Sequence, residues 1–545
     1  MRAVFDDDYL FKIPAYQRPY AWTTENADEL LKDLLKSLRE APEDPYFLGN
    51  IILIKHEDAP DSDVVDGQQR LTTLTMLLCV LRELSSSEEY TREIDAFIWQ
   101  SGNKLKGTQD EYRLSLRERD RDFFRTHVQS GGGIQALLEL DRAGRPDTQM
   151  RVIENVEHMQ TELGSLSEQV REDLTQFVLH QCFLVLVTAK DRDSAYRIFT
   201  VMNTRGLDLS PTDILKAEAI GDLEERLQSE YAAKWEELEE ELGREKFREL
   251  FAHIRMIYGK DKLRVTLQEG FREHVLSEES GPAFIDDVLV PYAKLYELIE
   301  DAAFVSTENA EAINRYLSFL GFLDNFDWIP PTMEFFRLHS GSSVDLLRFV
   351  KRLDRLAYGL FIRRADTYER IDRYGKLLAE IADGEPAGQE FSAFDFSDTE
   401  KAEIRERLAG DIYLVTRARL PLLLRLDGLL ADAGASYDHK IITVEHVLPQ
   451  QPPAESEWLQ DFPDEEVREF WTHKLANLVL LARRKNSAAS NWDFKRKKHE
   501  YFVRGGVSPF ALTTQVLGED EWTPKVLQTR QDELLAKLAD LWVLN

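Results

Sequence analysis

Glu445-His446-Val447-Leu448-Pro449-Gln450 sets a carboxylate beside an imidazole at the end of a strand-like run, residues 441–445, with asparagines at 477 and 486 further on. Hydrolysis of a phosphodiester needs a cation to neutralise charge at the phosphate and a base to take a proton from water. Glu445 and the amide oxygen of Asn486 are hard oxygen donors suited to Mg²⁺ or Mn²⁺. His446 titrates near neutrality and suits the base. Asn477 can fix the tautomer of the imidazole. Adjacent strand residues point to opposite faces, so Glu445 and His446 share a site only if the chain turns there; Pro449 fits such a turn. His439 and His473 lie nearby, fit no role and read as ordinary surface residues.

Working outward, residues 478–481 form a second strand-like run and 492–503 a helix. From Arg483 to Arg504 eight Lys or Arg face two acids, whereas the whole chain carries a net charge of −31. Affinity for nucleic acid comes largely from cations meeting phosphates, so the local excess matters more than the total. The acid gathers elsewhere, at 224–245 and 383–403, as solvated helix faces.

With 545 residues the chain exceeds one hydrophobic core, and two or three domains are expected. No apolar run approaches the roughly 20 residues needed to cross a bilayer. The N-terminus lacks a secretory pattern, and the two cysteines, Cys79 and Cys182, sit in apolar runs as buried thiols. A cytoplasmic protein without a membrane partner is the expectation. Strands are expected at 50–54, 64–66, 112–116 and 182–187. A helix over 68–84 repeats its leucines on a helical period. Another over 194–204 closes at Arg205-Gly206, and Ser210-Pro211 starts the next. Long amphipathic segments at 283–303, 342–363 and 400–430 predict an all-α middle, and 523–542 one more helix. The fold class is therefore α+β and multidomain: an α/β domain over 1–130, its helical completion over 131–220, a helical middle over 221–432, and a terminal β-then-α domain over 433–545.

A second constellation lies near the other end. Tyr16-Gln17-Arg18-Pro19-Tyr20-Ala21-Trp22 is dense in aromatics, and Asp66-Gly67-Gln68-Gln69-Arg70 enters a helix. A helix N-terminus behind a glycine is an anion site, and Arg18 and Arg70 offer bidentate forks for phosphate oxygens. Asp66 can hold a metal or orient water.

The C-terminal pattern resembles the HNH, or His-Me finger, nuclease domain, a ββα-metal fold, and especially that of CRISPR effector nucleases. The resemblance implies Glu445 and Asn486 as metal ligands, His446 as base, Asn477 as a positioning residue, and Lys485, Lys495 and Lys498 as contacts to DNA phosphates. It departs from that pattern in a long insert carrying Trp458, Pro463 and Trp471, and in asparagine at the third position. The strings YQRPYAW, LGN, VDGQQRLTTL and AYRIFTVMNTRGLDLSPTDILKA resemble the ParB/sulfiredoxin-like domain of the GmrSD group of modification-dependent (type IV) restriction enzymes. The chain is similar also to phosphorothioate-sensing SspE-type defence proteins, which share both domains. These resemblances cover about residues 5–220 and 435–545. They imply an anti-phage endonuclease that binds or hydrolyses a nucleoside triphosphate. Tyr16, Gln17, Arg18, Gly67, Gln68, Gln69, Arg70, Thr72, Asn203 and Arg205 would line the nucleotide pocket, and Asp66 would act on the nucleotide. Partners would be modified or phage DNA, the triphosphate, and a second copy in a homo-oligomer. The rival reading is a nucleotide-switched, ParB-like DNA-binding protein whose HNH domain is inactive.

Overall fold

The computed structural model describes residues 1, 4–5, 7–55, 60–102, 109–202, 210–384, 391–431, 437, 441–482, 491–503 and 508–545. They form two compact units, one of residues 1–241 with 280–285, the other of 242–279 with 286–545. The architecture is mixed α+β, as the sequence predicts. Among the described residues no helix is long and apolar enough to cross a membrane.

The first unit is built on a five-stranded sheet. Among the described residues its strands are β1 (Leu10–Lys12), β2 (Tyr46–Lys55), β3 (Asp61–Asp66), β4 (Trp99–Gln100), β5 (Glu111–Tyr112), β6 (Leu114–Ser115) and β7 (Cys182–Ala189), and β8 (Thr443–His446) and β9 (Leu478–Leu481) lie in the second unit. The sheet order is β6-β1-β3-β2-β7, and only the β2–β3 pair is antiparallel. The expected strand at 112–116 splits in two. Its first part pairs with β4, its second with β1, so one short run closes two sheets. β1 escapes the sequence reading because three residues are too few to show alternation.

The helix Gln68–Leu84 spans the residues the leucine spacing predicts and is buried along nearly its whole length. Three threonines survive inside it because each hydroxyl donates to a carbonyl one turn back: Thr72 to Gln68, Thr73 to Gln69 and Thr75 to Leu71. Ser210 caps the helix Pro211–Ile220 through a full capping box with Asp213.

The second unit is mainly helical. The segment 342–363 is the helix Ser343–Arg363, whereas 400–430 breaks into Asp398–Ala409 and Thr416–Leu430. The break, at Gly410, passes through a short 3-10 turn, Ile412–Leu414, that carries Tyr413 towards β8. The tail helix Pro524–Trp542 is fastened to the helical core by the Trp542 indole, which donates to Asp354 (3.1 Å); Arg425 holds the same carboxylate with two bonds (2.9 and 3.1 Å).

Candidate functional site

β8 and β9 form an antiparallel pair in which Glu445 faces Val479 and His446 faces Leu478. Both expected strands are present, and the chain turns directly after His446. Glu445 and His446 are almost wholly buried, 2% and 5% exposed. They meet different neighbours, as alternation along a strand requires. The Glu445 carboxylate lies in the field of the Lys497 ammonium. The His446 ring lies against Tyr413, centroids 4.0 Å apart, with its Nε2 3.4 Å from His473 Nδ1 and its Nδ1 3.3 Å from Gln450 Nε2.

The turn itself is gripped by two side chains. Lys497 is fully buried and donates to the carbonyls of His446 (3.0 Å) and Val447 (2.8 Å). Burial pushes its ammonium down to about 7, against the pull of Glu445 and Asp493. Asn477 accepts from Leu448 N (2.7 Å) and the Trp522 indole (3.3 Å), and donates to Leu448 O (3.0 Å) and Thr472 O (2.9 Å). Its amide therefore acts on the loop behind His446, not on the imidazole. Ala476 is pinned in turn by Gln531 and Arg530 of the tail helix.

The insert between His446 and Asn477 is packing. Trp458, Phe462 and Trp471 join Val447, Leu448 and Trp522 in one apolar cluster, and the Trp458 indole donates to Trp492 O (3.1 Å). The insert also delivers His473 to the imidazole. His473 is thus no ordinary surface residue; only a histidine brought back by the same insert could have signalled it. The expected helix over 492–503 is one α turn, Phe494–Arg496, followed by a π turn, Lys497–Tyr501. Lys495 is exposed. Lys498 donates to Glu519 O (2.7 Å), and Lys497 belongs to the interior rather than to a basic face. Lys485, Asn486 and His439 lie outside the described residues, as do Asn203 and Arg205. No group of three or more His, Cys, Asp or Glu that could hold a metal ion occurs among the described residues.

In the first unit the two N-terminal strings meet. Gln17 donates to Val65 O (3.2 Å) and accepts from Gln68 Nε2 (3.4 Å). Gln69 accepts from Ala21 N (2.8 Å) and donates to Pro19 O (3.0 Å), so it clamps the aromatic loop. Thr72 is buried under its own helix. Gly67, at φ +92°, turns the chain from β3 into the helix Gln68–Leu84 where a Cβ would sit 2.8 Å from Ile51. Arg70 donates to Asn50 O (3.1 Å) and lies over Gly49. Burial raises the Asp66 carboxyl; Gly67 N–H, Arg70 and Arg18 oppose it. Arg18 Nε is buried and meets no hydrogen-bond partner among the described residues. Tyr16 is buried beneath the Arg192 guanidinium, 5.1 Å from its ring. Behind them Arg117 donates to Gln17 O (3.3 Å) and pairs with Asp120 (2.7 Å) and Glu236, which also accepts from the buried Lys216 (2.8 Å).

The model of the GmrSD restriction endonuclease N-terminal domain matches residues 1–220, and that of the GmrSD restriction endonucleases C-terminal domain matches residues 398–537. No curated protein matches the chain. The first match spans the sheet and the Asp66–Arg70 turn; the second spans the β8–β9 pair with both elements that flank it. With the two domains of one family in a single chain, the protein belongs to the GmrSD restriction endonucleases.

Proposed function

We propose that the chain is a metal-dependent HNH endonuclease that cuts modified or foreign DNA under control of a nucleoside triphosphate bound in the first unit. The family supplies restriction and a DNA substrate. The observation that carries the finer reading is the β8–β9 pair, which presents Glu445 and His446 at a turn held by Lys497 and Asn477.

Glu445 fits a divalent ion by its chemistry: a buried carboxylate on a rigid pair, a hard oxygen donor. Asn486 would complete the protein's share. Mg²⁺ or Mn²⁺, when bound, supplies charge neutralisation at the scissile phosphate and the leaving oxygen. His446 takes the proton from the attacking water, a role worth roughly 10²–10⁴ in rate. Lys495, exposed beyond the hairpin, meets the DNA backbone, and Lys485 joins it. In the first unit the buried Arg18 Nε, without a hydrogen-bond partner among the described residues, the Arg70 fork and the turn at Gly67 suit an anion of the phosphate class. Asp66, beside both arginines, would orient water at the terminal phosphate.

Plasmid DNA, plain and modified, incubated with Mg²⁺ or Mn²⁺ and a triphosphate tests the reading. Nicking by the wild type and none by His446→Ala is the expected result. Cutting that survives His446→Ala overturns it. Binding of both DNAs with no cutting by the wild type favours the nucleotide-switched DNA-binding protein with an inactive HNH domain.

A further inference from the structure

The second unit holds a histidine, His473, for which the nuclease chemistry described so far has no use. His473 closes the helix Glu465–Thr472, and its Nδ1 lies 3.4 Å from His446 Nε2. Its position is fixed from the side of the 3-10 turn Ile412–Leu414. Tyr413 N donates to His473 O (3.2 Å), Lys474 pairs with Asp411 (3.1 Å), and the Tyr413 ring stacks on His473 at 13° and 5.6 Å. The same ring meets His446 at 4.0 Å, and the Arg419 guanidinium lies 4.7 Å from its centroid. Two imidazoles are thus held by one tyrosine so that one nitrogen of each faces the other.

The other nitrogen of His446, Nδ1, faces Gln450, which is exposed. The ring is thus met on both of its nitrogens, by His473 on one side and Gln450 on the other.

We propose that His473 is a positioning residue of the nuclease: with Tyr413 it holds the His446 ring in the orientation from which that ring takes a proton from water. The inference rests on the reading of His446 as the base. In the step it serves, a water O–H bond breaks, its proton passes to the His446 ring, and the water oxygen bonds phosphorus. The P–O bond to the leaving sugar oxygen breaks with its electron pair on that oxygen, which is protonated from solvent. His473 touches neither water nor DNA. Its effect is on the orientation of the ring that does.

Three substitutions in the full chain separate this role from packing. Asn places an amide atom where Nδ1 stands, Phe keeps the stack on Tyr413 without a hydrogen bond, and Ala removes both. With Mn²⁺, a triphosphate and modified plasmid DNA, His473→Ala and His473→Phe should each lower kcat about 10- to 100-fold with KM changed less than about twofold, the usual scale for a partner that orients a functional histidine. His473→Asn should recover most of the loss, and thermal melts should place the Phe and Asn variants together. Equal kcat in all three variants, whether at the wild-type level or uniformly low, overturns the proposal, as does a loss confined to KM. His446→Ala is run beside them. If it still nicks, the base assignment itself has failed. If it is dead while His473→Ala cuts at the wild-type rate, only the inference about His473 has failed.

Discussion

Asn477 makes four hydrogen bonds from a fully buried amide, and they join three separate pieces of chain: the loop at Leu448, the end of the insert at Thr472, and Trp522. Removing one partner of a buried bond costs about 1–3 kcal/mol because the other is left unpaired in a dry interior. Asn477→Ala should therefore destabilise the second unit by about 2–4 kcal/mol in urea titrations, with nicking falling alongside. A stable but inactive variant would show that the amide acts on chemistry rather than on the loop. His253 makes a second residue-scale case. Burial against Tyr296 pushes its imidazole down to about 4 from an ordinary 6.5, and Nε2 finds no partner among the described residues. The folded state thus keeps this ring neutral while the unfolded chain protonates it. Stability from His253 is complete above pH 6.5 and drains away as pH falls towards 4, on the order of 3 kcal/mol in all. His253→Leu should flatten that part of the acid limb in pH-dependent denaturation. An unchanged limb would place the acid sensitivity elsewhere.

At the scale of elements, β2 and the helix Gln68–Leu84 are linked by one close approach. Gly49 sits at φ +109° where the β2–β7 register slips, and a Cβ there would come 2.8 Å from the Arg70 guanidinium. Gly49→Ala should push Arg70 off its seat on Asn50. Triphosphate affinity should drop roughly tenfold, a loss of about 1.4 kcal/mol, read by calorimetry. Unchanged affinity would remove Arg70 from the anion site. The π turn Lys497–Tyr501 is the matching device in the second unit, because it turns Lys497 inward and leaves Lys495 outside. Lys495→Gln should weaken DNA binding equally across sequences and reduce the slope of log K against log salt by about 1. A sequence-dependent loss would mean that Lys495 reads bases.

For the whole molecule, a net charge of −31 sets a background that repels DNA and that any cationic contact has to overcome. The separation of the two motifs into different units predicts separable losses. Asp66→Asn and Arg70→Ala should abolish triphosphate turnover and suppress cutting of modified DNA. His446→Ala should abolish cutting and leave turnover intact. Cutting of modified DNA that ignores Asp66 and Arg70 would dissolve the coupling between nucleotide and nuclease.

The sequence by itself determined what is local or periodic. The leucine spacing placed the helix Gln68–Leu84, the Ser-Pro start placed the helix Pro211–Ile220, and the strand-like runs 441–445 and 478–481 placed β8 and β9, because side-chain periodicity and capping are properties of neighbouring residues. Pairing of the Gln17 string with the Asp66 string was suggested by resemblance, and the hydrogen bonds through Val65 and Gln68 give it a physical form. What only the tertiary structure decided is the surrounding of each motif. His473 reaches His446 across 27 residues of chain, Lys497 turns from an apparent surface cation into a buried clamp, and Tyr413 arrives from the break between two helices. None of these carries a sequence signature, because each follows from the packing of the insert's tryptophans and the tail helix, and packing joins residues without regard to their spacing along the chain.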